Sequence, residues 1–156
     1  MGVQYTTIRH EFEGDWTAAR MVLSVYARDK YDQGGNSDYE RLAPTDRDRD
    51  FFLTQWKTAA SEVATILVER VLRFVIDETS EPFVELDLRM YGEPFDDSGK
   101  EGDLADYMRN SMISAWLKQK EPDAAKDYEE AKQRAMAEMT VKVFHNPRPR
   151  LKYFNH

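Results

Sequence analysis

Residues 49–77 read RDFFLTQWKTAASEVATILVERVLRFVID, and this stretch decides the fold class. Phe52, Trp56, Ala59, Ala60, Val63, Ile66, Leu67, Val71, Phe74 and Val75 recur at steps of three and four. That is the spacing of one apolar stripe on an α-helix. Glu69 and Arg73 stand at i and i+4 on the polar side, in the order that favours an ion pair. The pattern predicts a single long amphipathic helix from Arg49 to Asp77, acting as the spine of the domain.

On either side the chain is read in the same way. Upstream, Trp16, Ala19, Val22, Leu23, Tyr26 and Ala27 predict a helix to about Tyr31, with Asp15 as its N-cap. Residues 32–50, DQGGNSDYERLAPTDRDRD, read as a long polar connection because paired glycines, Pro44 and dense charge oppose regular structure. Downstream, Asp103 can cap a helix carrying Leu104, Tyr107, Met108, Met112, Ala115 and Trp116, ended by the basic pair Lys118 and Lys120. Pro122 suits the first turn of a further helix that runs through Ala124, Tyr128, Ala131, Ala135, Met139 and Val143 to about Phe144.

Two segments change the period. Val84, Leu86, Leu88 and Met90 alternate with Glu85, Asp87 and Arg89, which describes a strand with one buried face. A lone strand leaves its backbone groups unpaired, and Tyr5–Phe12, rich in Thr, Ile and aromatics, is the partner available within the chain. A neighbouring subunit is the other source of a partner. The expected fold is therefore mainly α: a domain like a four-helix bundle, with a small two-stranded β element formed by Tyr5–Phe12 and Val84–Met90. It is expected as one domain over residues 1–144, followed by an extended basic C-terminal tail over 145–156.

Composition limits function. The chain has 156 residues, 41% of them hydrophobic, enough for one core of ordinary size. Its net charge of −7 repels phosphate backbones at long range, so binding of nucleic acid over the whole surface is not expected. Cysteine is absent, which removes disulfides and thiolate metal sites. The longest hydrophobic segment, 63–76, is interrupted by Thr65, Glu69, Arg70 and Arg73, so no membrane span is expected. The first 16 residues lack the apolar core of a signal peptide.

A search for chemistry returns little. Neither a P-loop nor GxGxxG is present, and His10, His145 and His156 form no metal-binding pair. Asp46, Asp48 and Asp50 alternate with arginines and read as an ion-pair cluster. Asp96, Asp97, Glu101 and Asp103 lack EF-hand spacing and read as a mobile acidic surface loop. Trp16, Phe52, Trp56 and Trp116 lie on helical stripes and belong to a core, while Phe51 is offset. No catalytic residue, metal site or cofactor is expected.

The tail carries the sharper signal. Residues 145–156, HNPRPRLKYFNH, hold Arg148, Arg150 and Lys152 and no acid, so the tail is +3 and the remainder of the chain −10. Pro147 and Pro149 forbid helix and stiffen an extended backbone. Arg148, Arg150, Lys152, Tyr153 and Phe154 form a set of cationic and aromatic anchors suited to docking on another protein, since stiffness lowers the entropy lost on binding.

The stretch LADYMRNSMISAWLKQKEPDAAKDYEEAKQRAMAEMTVKVFHNPRPR, residues 104–150, has an apolar helix ending in Trp-Leu and a short hinge with proline. Tyr, spaced alanines and an Arg/Pro-rich exit follow. In that order of features it resembles the head–tail connector (neck or adaptor) proteins of tailed bacteriophages, over about the last 55 residues. The resemblance implies a structural virion protein: a homo-oligomeric, dodecameric ring joining the portal protein to a further neck or tail protein. DNA would pass through such a ring without being specifically bound. It also implies that the tail docks on the portal. The strand at Val84–Met90 departs from the simplest, all-helical adaptors. A second reading from composition alone is a cytoplasmic, acidic, helical protein-binding module of regulatory or immunity type.

Overall fold

The computed structural model describes residues 3–34, 41–92, 95–97 and 102–145, with side chains except at 31–34. In chain order the elements are β1 (Val3–Glu11), α1 (Phe12–Gly34), α2 (Arg49–Ile66), β2 (Val71–Asp77), β3 (Phe83–Tyr91), α3 (Asp103–Lys118) and α4 (Pro122–Phe144). The protein is mainly helical, with four helices among the described residues and a three-stranded antiparallel sheet of order β1-β3-β2.

The central strand is the one its alternation announced. Val84, Leu86, Leu88 and Met90 are buried, while the residues between them are partly exposed. β1 pairs with it inside the same chain, with Ile8 opposite Leu86 and Thr6 opposite Leu88. The expected two-stranded element has a third strand. Residues 71–77, expected as the end of the long helix, form β2 and pair with β3 through Phe74 opposite Leu86 and Ile76 opposite Val84.

That correction has a local cause. The helix stops where the Leu67 N–H bonds the Val63 carbonyl, and a 3-10 turn over Val68–Arg70 follows. Val71, Val75, Ile76 and Phe74 are β-branched or aromatic, residues that fit a pleated surface and lose side-chain freedom in a helix. The Asp77 carboxylate then accepts the Thr79 N–H at 2.9 Å, a side-chain-made turn that folds β2 back onto β3. Apolar residues at 71, 74 and 75 satisfy the helical period by coincidence.

α1 begins directly after β1, with the Phe12 N–H donating to the Pro82 carbonyl at 3.0 Å. Phe12, Trp16, Ala19, Leu23 and Ala27 form its buried stripe. Asp15 therefore lies inside the first turns and is not the cap expected of it. α2 buries Phe52, Trp56, Ala59, Ala60 and Val63. α3 packs against α1, α2 and α4, and buries residues on most of its circumference, from Leu104 to Leu117. The helix at the centre is thus α3, not the 49–77 segment expected as the spine.

The aromatic residues of the stripes meet in one cluster. Trp16 lies 4.7 Å from Phe52 between ring centroids, and Phe52 5.1 Å from Trp116. Phe12 meets Trp56 edge-on at 5.5 Å. Replacing one such buried ring with alanine typically costs about 3–5 kcal/mol. Trp116 also donates its indole N–H to the Leu42 carbonyl at 2.9 Å, tying the connection before α2 to the core.

Candidate functional site

The most unusual chemistry in the molecule is an ionic cluster under the sheet, where β1, α1, α2, α3 and the segment 95–97 meet. His10 points inward from β1, next to the start of α1. Its Nε2 lies 2.6 Å from Asp15 Oδ2, and its Nδ1 lies 3.7 Å from Asp97 Oδ2. Asp15 is buried and takes two further donors: the Trp56 indole N–H at 2.9 Å and the Arg109 Nε at 2.8 Å. An isolated buried carboxylate is costly, and here it is offset by one imidazole, one guanidinium and one indole.

Asp97 is the less satisfied partner. Its Oδ1 accepts the Leu104 N–H at 3.0 Å, so it serves the free amides at the start of α3. Its Oδ2 is buried and takes no hydrogen bond among the described residues. Burial pushes the Asp97 carboxyl up to about 6, against the lowering pull of His10 and of the Leu104 and Ala105 amides. For His10 burial lowers the pKa, but the hydrogen bond and charge of Asp15, with the charge of Asp97, outweigh it and hold the imidazole above its ordinary value. Beside this group Asp103 pairs with Lys142 of α4 at 2.6 Å. Three acids, Asp15, Asp97 and Asp103, are thus balanced by His10, Arg109 and Lys142.

Gly102 makes the arrangement possible. A methyl group at Gly102 would overlap the Asp97 carboxylate, so only glycine lets that side chain reach the start of α3. Gly102 occupies the N-cap position, and Asp103, the expected cap, is the first helical residue. Within the acidic loop expected to be mobile surface, the Asp97 side chain and Asp103 are buried and form a structural clasp; Asp96 is exposed, and Glu101 lies outside the described residues.

Among the described residues the other acidic run makes its ion pair with α1, not with the arginines it alternates with, and Arg49 pairs instead with Glu13. Asp46 binds Arg20 at 2.6 Å, and the Asp48 carboxylate accepts the Thr45 N–H at 2.7 Å in a capping box. Among the described residues no group of three or more His, Asp or Glu is placed to hold a metal ion. A cavity of about 400 Å³ opens between α2, α3 and α4. Phe51, Gln55, Ser114, Gln119, Lys118 and Lys132 contribute to its wall, so the offset Phe51 faces this cavity and packs against Trp116. Nearby, burial and the Glu62 carboxylate raise the Tyr107 hydroxyl, which donates to Glu62 at 3.0 Å.

The expected docking residues Arg148, Arg150, Lys152, Tyr153 and Phe154 lie outside the described residues. Their point of departure is defined. The Arg70 guanidinium lies 4.5 Å from the centre of the Tyr91 ring and 5.2 Å from that of Phe144, which fixes the end of α4 against the last residue of β3. Such cation–ring contacts are worth about 0.5–2 kcal/mol each. Residue 145 is therefore near the end of the sheet that carries Val3, the partner of Tyr91.

Several large apolar side chains remain exposed: Met21, Val22 and Val25 on α1, Val3 and Tyr5 on β1, Ile66, Val68 and Leu72 around the start of β2, and Val141 on α4. The long apolar stripe gave no sign of these, because Ile66 and Leu72 were absorbed into the helix that the sequence predicts. No helix among the described residues is long and apolar enough to cross a membrane. No family model, curated protein or solved structure matches this chain.

Proposed function

We propose that this chain is a structural subunit that works by protein–protein contact: a homo-oligomeric ring of the head–tail connector type. In this reading the ring joins a portal to a further neck or tail protein in a virion and extends a DNA channel. The observation that carries the reading is the grouping of exposed apolar side chains on separate faces of an acidic body. Met21, Val22 and Val25 stand on one side of α1, away from the stripe that packs inward, and the sheet carries further apolar residues at its margins. Met21, Val22 and Val25 are neighbours on the helix, and a contiguous apolar patch, unlike a lone exposed side chain, marks a surface that another protein covers.

Charge supports the same reading. The body sums to −10 outside the +3 tail, so a channel lined by it would not hold DNA by its phosphates. The tail, with Arg148, Arg150, Lys152, Tyr153 and Phe154, supplies the opposite sign for an adjacent acidic surface. The titratable residues of the interior hold elements together, with Asp15 between His10 and Arg109, and Asp97 on the Leu104 amide.

Size-exclusion chromatography with light scattering, on the full chain alone and with a portal, tests this. A defined oligomer, or a stable complex with the portal, is expected. A monomer that ignores the portal and is missing from purified virions would overturn the reading in favour of a free-standing binding module.

A further inference from the structure

Both outer strands of the sheet carry exposed apolar side chains. In the order β1-β3-β2 both outer strands lie at an edge, and no other strand pairs with either among the described residues. An unpaired edge presents a row of backbone donors and acceptors, which proteins usually shield with charge, proline or a covering element. β1 runs nine residues without proline, lysine or a bulge, and its charged outward residues, Arg9 and Glu11, are confined to one end. At the other end stand Val3, 42% exposed, and Tyr5, 69% exposed.

The opposite edge carries a second apolar set near the same end of the sheet. Thr6 of β1 and Val71 of β2 both face Leu88 of the shared central strand. Tyr5 lies one residue to one side of that rung, opposite Arg89, and Leu72 lies to the other side, between the rungs of Leu88 and Asp87. Leu72 has no partner in the register because the ladder slips between Val71 and Arg73, and its side chain is 55% exposed. Val68, 63% exposed, and Ile66, 46% exposed, lie just upstream of it. Thus the β1 edge bears Val3 and Tyr5, while Leu72 stands at the start of the β2 edge, with Val68 in the turn and Ile66 at the helix end before it.

Symmetry then selects the occupant. Two copies meeting through the same edge form a closed two-fold pair, whereas two different edges form a head-to-tail contact that repeats. β1 and β2 are each antiparallel to β3, so they run in the same direction. A neighbour shifted sideways along the sheet with little rotation brings its β1 beside β2 in parallel, and a further shift of two residues along the strands sets its Tyr5 beside Leu72 and Arg73. A shift of two residues from equal height also places Arg9 of the neighbour opposite Asp77, an ion pair of complementary sign.

We infer that β1 of one copy pairs in parallel with β2 of the next, with Val3 and Tyr5 packing on Ile66, Val68 and Leu72. This rests on the homo-oligomeric reading above and specifies its interface. The pairing makes the sheet continuous from copy to copy. It also places the residue-145 exit of each chain, beside Tyr91 and Val3, next to the contact.

The native chain has no cysteine, so single introduced thiols report contacts cleanly. Tyr5→Cys and Leu72→Cys are made as separate full-length variants, both at exposed positions, and treated with a short bis-maleimide singly and mixed. The cross-linked pair is expected in the mixture only, at least tenfold above either variant alone. Cross-linking of Tyr5→Cys with itself would mean a two-fold β1 contact and would overturn the inference. If light scattering finds an oligomer but the mixture stays uncross-linked, the edge pairing falls and the oligomeric reading stands. If the wild-type chain is a monomer and no cross-link forms, both fall.

Discussion

Asp97 supports the first turn of α3 from outside the helix, its Oδ1 accepting the Leu104 N–H at 3.0 Å across a glycine with no room for a side chain. The same carboxylate faces His10 of β1, so one residue links the sheet to the central helix. Gly102→Ala should destabilise the protein by about 1–3 kcal/mol, because the added methyl displaces that carboxylate. Gly14→Ala is the matched control. It lies in α1 with nothing within 4 Å of an added Cβ, and alanine there should stabilise by about 0.5–1 kcal/mol. Urea unfolding of the two variants, followed by tryptophan fluorescence, checks the opposite signs.

Asp15 is expected to be the most sensitive ionisable residue. Asp15→Ala removes the partner of His10, Arg109 and the Trp56 indole at once, leaving buried donors without acceptors. A loss of about 3–5 kcal/mol is expected, as for a broken buried pair. Arg73→Ala, whose contact with Glu85 is at the exposed outer face of the sheet, should cost about 1 kcal/mol or less. Thermal melts of the two variants provide the comparison.

Stability should fall as pH rises from about 4 to about 6 through Asp97, and again above 6.5 through His10. Asp97 has a folded pKa of about 6 against an ordinary 3.8, so the folded chain holds a proton there that the unfolded chain gives up. His10 acts in the same direction: its contribution is full below 6.5 and is lost as pH passes through its raised folded value. Asp97→Asn should flatten this slope, since the amide cannot ionise. Urea midpoints at several pH values for wild type and variant test it. A wild-type midpoint that rises across this range would contradict the cluster's assigned role.

Truncation after residue 145 should leave the melting temperature within about 2 °C of the full chain while weakening capture by a portal at least tenfold. The anchor of α4 is internal to what remains, through Phe144 on Arg70 and Lys142 on Asp103. Differential scanning fluorimetry and pull-down on portal rings read the two effects separately.

Much of the fold was legible because period alone carries it. The alternation at Val84–Met90 and the stripes of α1, α3 and α4 were read at nearly their observed limits. Residues 71–77 are ambiguous in sequence because Val71, Phe74 and Val75 fit the helical period as well as a bulged strand, and only the turn-forming DETSEP that follows marks the reversal. The ionic cluster was the least legible part. His10, Asp15, Asp97 and Arg109 are spread over 100 residues, and only the tertiary fold brings them together. Gly102, five residues after Asp97, was the one local hint.

Negative-stain electron micrographs of the purified full-length chain test the central claim most directly. The account predicts closed rings of uniform diameter, formed alone or on a portal. Particles the size of a single chain at every concentration, with and without a portal, would contradict it.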